Sequence, residues 1–239
     1  GFVVTGGTSS FGNGYQVYLL KTDSSGNLLW EKNFGGTDSD DGYSVVETSD
    51  GGLVVTGHTL SFGNSWQVYL LKTNSTGDLL WEKFFGGSSD EIGQCVIETL
   101  DGGLVVTGST SSFGNRQRVY LVKTDSNGNL LWEKNFGGTR DDLGYSVVET
   151  SDGGFVVTGG TSSFGNGYQV YLLKTDSTGN LLWERNFGNT NNDYGYSVLE
   201  KADVELVVAG RMSSYDYYIN KVYMIWTDSE GNGFSGPDW

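Results

Sequence analysis

Residues 170–188 read VYLLKTDSTGNLLWERNFG, and near copies of this stretch stand at one fixed spacing along the chain. Its Trp183 has counterparts at Trp30, Trp81 and Trp132, each 51 residues from the next. A period of that length marks a tandem-repeat architecture, in which each unit buries its apolar faces against its neighbours. The stretch holds two β-like runs, here named strands C and D, with a D-x-x-G-N turn between them.

Working outward, the run GFVVTG (strand B) starts at Gly1 and recurs at Gly52, Gly103 and Gly154, then more loosely at Glu205–Gly210. Strand A is YSVVET from Tyr43, with equivalents starting at Gln94, Tyr145 and Tyr196. Asp50-Gly51, Asp101-Gly102 and Asp152-Gly153 follow it. Asp-Gly between two such runs signals a hairpin, because Gly adopts positive φ freely.

Four antiparallel strands per period describe one propeller blade. Alternation along strand D sends Leu28, Trp30 and Phe34 to one face and Leu29 to the other, so both faces need cover. Blades packed face to face supply it. A β-solenoid has shorter periods and lacks these hairpins.

The expectation is an all-β, single β-propeller domain over residues 1–239, with five blades as repeats 1–50, 51–101, 102–152, 153–203 and 204–239. One blade is incomplete, because the sequence opens at strand B. The fifth strand D would fall on Gly233–Trp239, which lacks the LLW pattern.

Composition agrees. The 38 Gly and single Pro, with abundant Val, Tyr, Phe and Trp, suit short strands and tight turns. A net charge of -15 repels nucleic-acid phosphates and anionic lipid, so nucleic acid is not an expected partner. No apolar run approaches the roughly 20 residues that span a bilayer, so membrane insertion is not expected either. Cys95 is the only cysteine, which rules out an internal disulfide.

The residues GGFVVTGGTSSFG, QVYLLKTDSTGNLLWE, GG and DYGYSV resemble the β-propeller repeats of many secreted and surface-attached bacterial and archaeal proteins. The resemblance covers essentially the whole chain and implies a propeller in an extracellular or cell-surface setting. The D-x-x-G-N turn followed by Trp is also similar to the quinoprotein-type blade, without that group's ligand motif.

In a propeller of this connectivity, the A–B and C–D hairpins lie on one face and the B–C loops with the D–A crossovers on the other. The B–C loops repeat an aromatic at Phe11, Phe62, Phe113 and Phe164, read as a plug between blades. A second position varies as Tyr15, Trp66, Gln117 and Tyr168. With the amides Asn13, Gln16, Asn64 and Gln67 it offers what a sugar needs, an aromatic face and hydrogen bonds.

The crossovers place Asp40, Glu91, Asp142 and Asp193 at one equivalent position. Such a ring suits a hard cation such as Ca2+, or shifted-pKa acid chemistry, though no cofactor is required. The competing reading is that each acid accepts N–H bonds within its own turn. Glu47, Glu98, Glu149 and Glu200 lie in strand A and are read as facing a solvated channel. Cys95 and its equivalents Ser44, Ser146 and Ser197 are small fillers.

His58 is the only histidine, standing where other repeats have Gly7, Ser109 and Gly160, so His/Cys zinc sites are excluded. Asn74-Ser75-Thr76 is a formal glycosylation sequon at a position where turn chemistry explains the Asn.

Near identity of the repeats presents one chemistry several times, which suits multivalent binding. The expectation is therefore a non-catalytic extracytoplasmic binding or display module for glycan or protein, with self-association through an unpaired inner strand edge open to it. The alternatives are a carboxylate-based glycoside hydrolase, by analogy of fold, and a purely structural array unit.

Overall fold

The computed structural model describes residues 1–11, 14–188, 192–213 and 220–233. Among them there is no helix, and the strands form five antiparallel sheets in chain order. The first contains β1 (Phe2–Thr8), β2 (Gln16–Thr22) and β3 (Leu28–Phe34). The second contains β4 (Asp40–Glu47), β5 (Leu53–Thr59), β6 (Gln67–Thr73) and β7 (Leu79–Phe85). The third contains β8 (Glu91–Glu98), β9 (Leu104–Thr110), β10 (Arg118–Thr124) and β11 (Leu130–Phe136). The fourth contains β12 (Asp142–Glu149), β13 (Phe155–Thr161), β14 (Gln169–Thr175) and β15 (Leu181–Phe187). The fifth contains β16 (Tyr194–Glu200), β17 (Leu206–Ser213) and β18 (Asn220–Thr227).

The first sheet thus has strands B, C and D, and the fifth A, B and C. The fifth strand D expected at Gly233–Trp239 lies, after Gly233, outside the described residues. By compactness the chain divides into two units, Gly1–Asn115 with Val122–Leu131, and Arg116–Leu121 with Trp132–Trp239.

The D-x-x-G-N turn closes on its own aspartate. Asp23 Oδ1 accepts the Ser25 and Asn27 N–H groups at 2.8 and 2.9 Å, and Gly26 takes φ +86°. Asp125, Asp176 and Asp228 repeat this clamp, and Asn74 does so through its amide oxygen. The sequon asparagine is therefore engaged in its turn, as the Asx geometry predicts.

The A–B hairpins carry a device the sequence reading missed. Lys123 on β10 has a buried side chain whose Nζ donates to Asp101 Oδ1 at 2.8 Å and to Thr99 Oγ1 at 2.7 Å. Lys72 and Lys174 reach Asp50 and Asp152 in the same way, each at 2.6 Å. In the fifth sheet Trp226 replaces the lysine, and Val204 stands in the turn at φ +60° where the other repeats have glycine.

Apolar packing follows the expected face-to-face logic within each unit. Val17 and Leu19 from the first sheet meet Leu53, Val55, Tyr69 and Leu71 from the second, with Trp30 and Phe34 against them. In the second unit Val156, Val170 and Leu172 meet Val198, Leu206, Val208 and Ile225, with Trp183 and Phe187 alongside. Full burial of each such side chain contributes about 1.5–3 kcal/mol. Each strand-D tryptophan also lies on the C–D turn glycine of the next sheet. A Cβ on Gly77 would stand 2.8 Å from the Trp30 ring, and one on Gly179 the same distance from Trp132.

Two expectations are corrected. Leu28 and Leu29 are both exposed, at 55% and 59%, because a bulge between Lys21 and Thr22 leaves Leu29 opposite no partner and breaks the alternation. The same displacement recurs at Lys72/Thr73 and Lys174/Thr175. The strand-A glutamates are not all channel side chains: Glu98 accepts the Ser49 N–H at 2.7 Å, and Glu200 the Ser151 N–H at 2.7 Å, tying neighbouring hairpins.

The Asp101 carboxyl is held down to about 2, first by the Lys123 hydrogen bond and then by Thr99. A pKa lowered in the folded state stabilises above the unfolded value and loses that stabilisation as pH falls toward the folded value. Lys123→Met should lower stability at pH 7 by about 1 kcal/mol, a modest figure because the carboxylate is largely exposed. Melting temperatures of variant and parent should converge between pH 4 and pH 2. Val204→Gly should act oppositely, raising stability by about 0.5–1 kcal/mol in urea unfolding, since it removes a β-branched residue from the left-handed region.

Candidate functional site

At the end of each sheet opposite these hairpins, the B–C loop and the next D–A crossover are bonded to one another. The Asp40 N–H donates to the Tyr15 carbonyl at 2.9 Å, Glu91 to Trp66 at 2.8 Å, Asp142 to Gln117 at 3.0 Å and Asp193 to Tyr168 at 2.8 Å. The two residue sets proposed separately from sequence are therefore joined one to one through the backbone. A second bond fixes the same loops: the Trp66 and Gln117 N–H groups donate to Asp90 and Asp141 Oδ1, and the Tyr168 N–H to Asn192 Oδ1.

The acids themselves are internal clamps. Asp40, Glu91, Asp142 and Asp193 are fully buried. Asp40 Oδ2 accepts the Gly36 N–H and the Ser61 hydroxyl at 2.8 and 2.7 Å, while Oδ1 accepts the Thr59 hydroxyl. Asp142 does the same with Gly138, Ser163 and Thr161, and Glu91 with Gly87 and Thr110. Asp193 accepts the Ser213 N–H at 2.9 Å. Burial raises the Asp142 carboxyl above the ordinary value, opposed by the hydrogen bonds from Thr161, Ser163 and Gly138. Among the described residues no three His, Cys, Asp or Glu side chains converge as a metal would require. The Gly36, Gly87 and Gly138 N–H bonds lie in the acid's own turn, whereas the hydroxyls of Thr59, Ser61, Thr110, Thr161 and Ser163 and the Ser213 N–H come from strand B and its loop about 20 residues away.

Gln16 spends its amide on the scaffold, with Nε2 donating to the Gly36 carbonyl at 3.2 Å and Oε1 accepting from Asn33. Gln67 lies beside its own loop, where a Cβ on Gly63 would stand 3.2 Å from its amide. Asn13 falls outside the described residues. The loop phenylalanines are partly exposed covers rather than buried plugs. Phe62 stacks on Phe84 at 4.3 Å between ring centroids and meets Tyr69 in a tilted contact at 6.1 Å, both in its own sheet.

What distinguishes the repeats sits one step further in. Strands A and B carry a bulge between Gly42 and Ser44, Gly93 and Cys95, Gly144 and Ser146, and Gly195 and Ser197. Just before it, one cross-strand pair differs in each of the four sheets that carry strand A: Asp41 with His58, Ile92 with Ser109, Leu143 with Gly160, and Tyr194 with Arg211. Bulges re-aim the neighbouring side chain, here Tyr43, Tyr145 and Tyr196.

In the first unit this pair centres a mixed site. His58, 3% exposed, has Nε2 3.7 Å from Asp41 Oδ2 and stacks on Trp66 at 4.6 Å, with Tyr43 at 5.4 Å. Its Nδ1 is buried without a hydrogen-bond partner. Burial lowers the imidazole pKa below 6.5, against the pull of Asp41, Asp40 and Asp90, so His58 is neutral at pH 7. The Asp41 carboxylate remains 26% exposed and fills the space a side chain on Gly7 would need: a Cβ there would be 1.7 Å from Oδ1 and 3.5 Å from the Tyr15 ring. Gly7 is thus a seat for Asp41.

The second unit carries a different constellation at the equivalent place. Tyr194 has Tyr168 at 5.0 Å, Tyr145 and Tyr196 each at 6.2 Å, and the Arg211 guanidinium 5.1 Å above its ring. Burial, with the neighbouring tyrosines, pushes the Tyr145 hydroxyl up to about 12. Gly160 clears the space, since a Cβ there would meet Tyr194 at 2.6 Å. Sequence reasoning noted His58 as unique but missed its partner Asp41. The available signal was two departures at one cross-strand position of nearly identical repeats.

No protein-family model and no curated protein matches the chain. Among solved structures, a Bifidobacterium bifidum protein assigned as an exo-β-1,3-galactanase aligns over 99% of this chain and 88% of its own, at 11% identity and TM-score 0.51. An endo-arabinase from Bacteroides thetaiotaomicron aligns over 94% and 89%, at 11% identity and TM-score 0.50. Fold-mates named for carbohydrate-processing activity correct the expectation of a non-catalytic binding or display module. The physical premise of that expectation also fails, because Asp41 with His58 occurs once and not in every repeat. At this level of identity the likeness establishes architecture, and the chain is an all-β protein of the β-propeller class.

Proposed function

We propose that this chain is a carboxylate-based enzyme acting on carbohydrate, with its reacting centre at Asp41. The observation that carries the reading is the Asp41–His58 pair, a partly exposed carboxylate beside a buried neutral imidazole, flanked by the rings of Tyr15, Tyr43 and Trp66. A sugar presents C–H faces that stack on such rings and hydroxyls that bond a carboxylate. The names of the fold-mates, a galactanase assignment and an arabinase, support the same substrate class by analogy of architecture.

Glycoside hydrolysis needs two carboxyl groups, one to donate a proton and one to act as base or nucleophile. Asp41 and Asp90 fill these roles in this proposal. Asp41 lies 3.7 Å from His58 Nε2, Asp90 Oδ1 holds the backbone N–H of Trp66 at 3.2 Å beside it, and neither is one of the four fully buried acids of the crossovers. His58 serves as a positioning residue. While neutral it leaves the Asp41 charge available, and once protonated it pairs with Asp41 and withdraws it.

The test is hydrolysis of galactan, arabinan and aryl glycosides by the parent protein and its variants. Asp41→Asn should lower kcat on the turned-over substrate by about 10²–10⁴-fold with the melting temperature retained, the range for loss of an acid–base group. The acid limb of the pH–rate profile should lie below pH 6.5 and move to lower pH in His58→Gln. Absence of turnover across the panel, or full activity in Asp41→Asn, would overturn the reading.

A further inference from the structure

Among the described residues Arg211 is a cation without a counter-charge, in a chain of net charge -15. It has no ion-pair partner among the described residues, and its Nε is buried without a hydrogen-bond acceptor. The acid beside its cross-strand partner, Asp193, is turned to the Ser213 N–H. What surrounds the guanidinium instead is aromatic: it lies over Tyr194, which has Tyr168, Tyr145 and Tyr196 around it. Contact with a ring face leaves the in-plane N–H donors of guanidinium unused.

The arrangement is built. Gly160 has to lack a side chain for Tyr194 to occupy its position, since a Cβ there would stand 2.6 Å from that ring and 3.3 Å from Tyr168. Tyr168 is fixed at both backbone groups, its N–H by Asn192 and its carbonyl by Asp193. Tyr196 is the bulge residue of β16, and Arg211 follows Gly210 on β17, where a Cβ would clash with the Tyr194 carbonyl at 1.9 Å.

We propose that Arg211 and its tyrosines form a second ligand site, which takes the carboxylate of a uronic acid residue in an oligosaccharide. A planar carboxylate matches the guanidinium fork in two parallel hydrogen bonds, which a neutral hydroxyl cannot do. The tyrosine faces receive the pyranose C–H surface and their hydroxyls its ring substituents. The site belongs to the second unit and uses no residue of the Asp41 centre, so it stands or falls separately from the activity proposed above.

The experiment is calorimetric titration of the full chain with methyl galacturonide and methyl glucuronide, against methyl galactoside, methyl glucoside, acetate and inorganic phosphate. At least one uronide should bind ten-fold or more tightly than its neutral counterpart and than either free anion. Arg211→Met should abolish that preference, Arg211→Lys should retain part of it, and Tyr168→Ala should weaken the uronide more than it alters the melting temperature. Gln67→Ala should leave the preference for uronide over neutral glycoside in place. Equal affinity for uronide and neutral glycoside would overturn the proposal, as would an undiminished preference in a folded Arg211→Met. Binding of acetate or phosphate as strongly as the uronide would overturn it too, reducing the site to a general anion contact. If Arg211→Met does not fold, Tyr168→Ala decides: unchanged uronide affinity there refutes the site.

Discussion

The contact on which this structure depends is a tryptophan ring lying on a turn glycine one repeat further along. Trp30 on Gly77, Trp81 on Gly128, Trp132 on Gly179 and Trp183 on Gly231 each leave too little room for a Cβ. The same glycines take positive φ, so the position is fixed twice, by backbone conformation and by the ring above it. One residue type thus couples the closure of a C–D turn to the docking of the preceding sheet. This is a physical reason for the 51-residue spacing of the tryptophans. The fifth repeat carries one extra residue between strands B and C, and Trp183 still covers Gly231, so the constraint falls on where the turn is placed and length is absorbed in the B–C loop.

With that end of each sheet anchored, the other end is held by hydrogen bonds that follow from it. Asp40, Glu91 and Asp142 each satisfy a crossover N–H together with hydroxyls of strand B or its loop, and their own N–H groups, with that of Asp193, fix the B–C loops of the preceding sheets. A buried carboxylate is tolerated when several donors meet it. Side chains displayed from such loops are preorganised, because the backbone that carries Tyr15, Trp66, Gln117 and Tyr168 is bonded on its carbonyl in every case. Precision at the candidate site comes from residues that never touch a ligand.

Much of this was legible in the sequence and some was not, for identifiable reasons. The tryptophan spacing and the Asp-Gly and D-x-x-G-N turns are local signals, and the strands and hairpins follow from them. Strand D was misread at Leu28 and Leu29 because a bulge shifts the pairing by one residue, and alternation cannot report an interruption of itself. The Lys123–Asp101 pair was missed because it joins strand C to a turn 22 residues earlier. Asp41 and His58 are 17 residues apart, and only the register past the Gly42/Ser44 bulge makes them partners. The acid ring was visible as a repeated position, yet whether those carboxylates face solvent or their own turn donors depends on three-dimensional packing.

The strand-B position that carries His58 and Arg211 gives the strongest argument for where chemistry sits. Elsewhere in the repeats it is Gly7, Ser109 or Gly160, small residues that leave room for a neighbour. The only two buried side-chain polar atoms without a partner among the described residues, His58 Nδ1 and Arg211 Nε, both occur at it. An unmet buried donor or acceptor costs about 1–3 kcal/mol, and a glycine there would avoid that cost, as it does in the first and fourth sheets. The scaffold elsewhere satisfies its buried groups thoroughly, down to the hydroxyls that meet Asp40 and Asp142. Two unmet atoms at one equivalent position are therefore not general looseness. They mark the place where the fold departs from its own repeat.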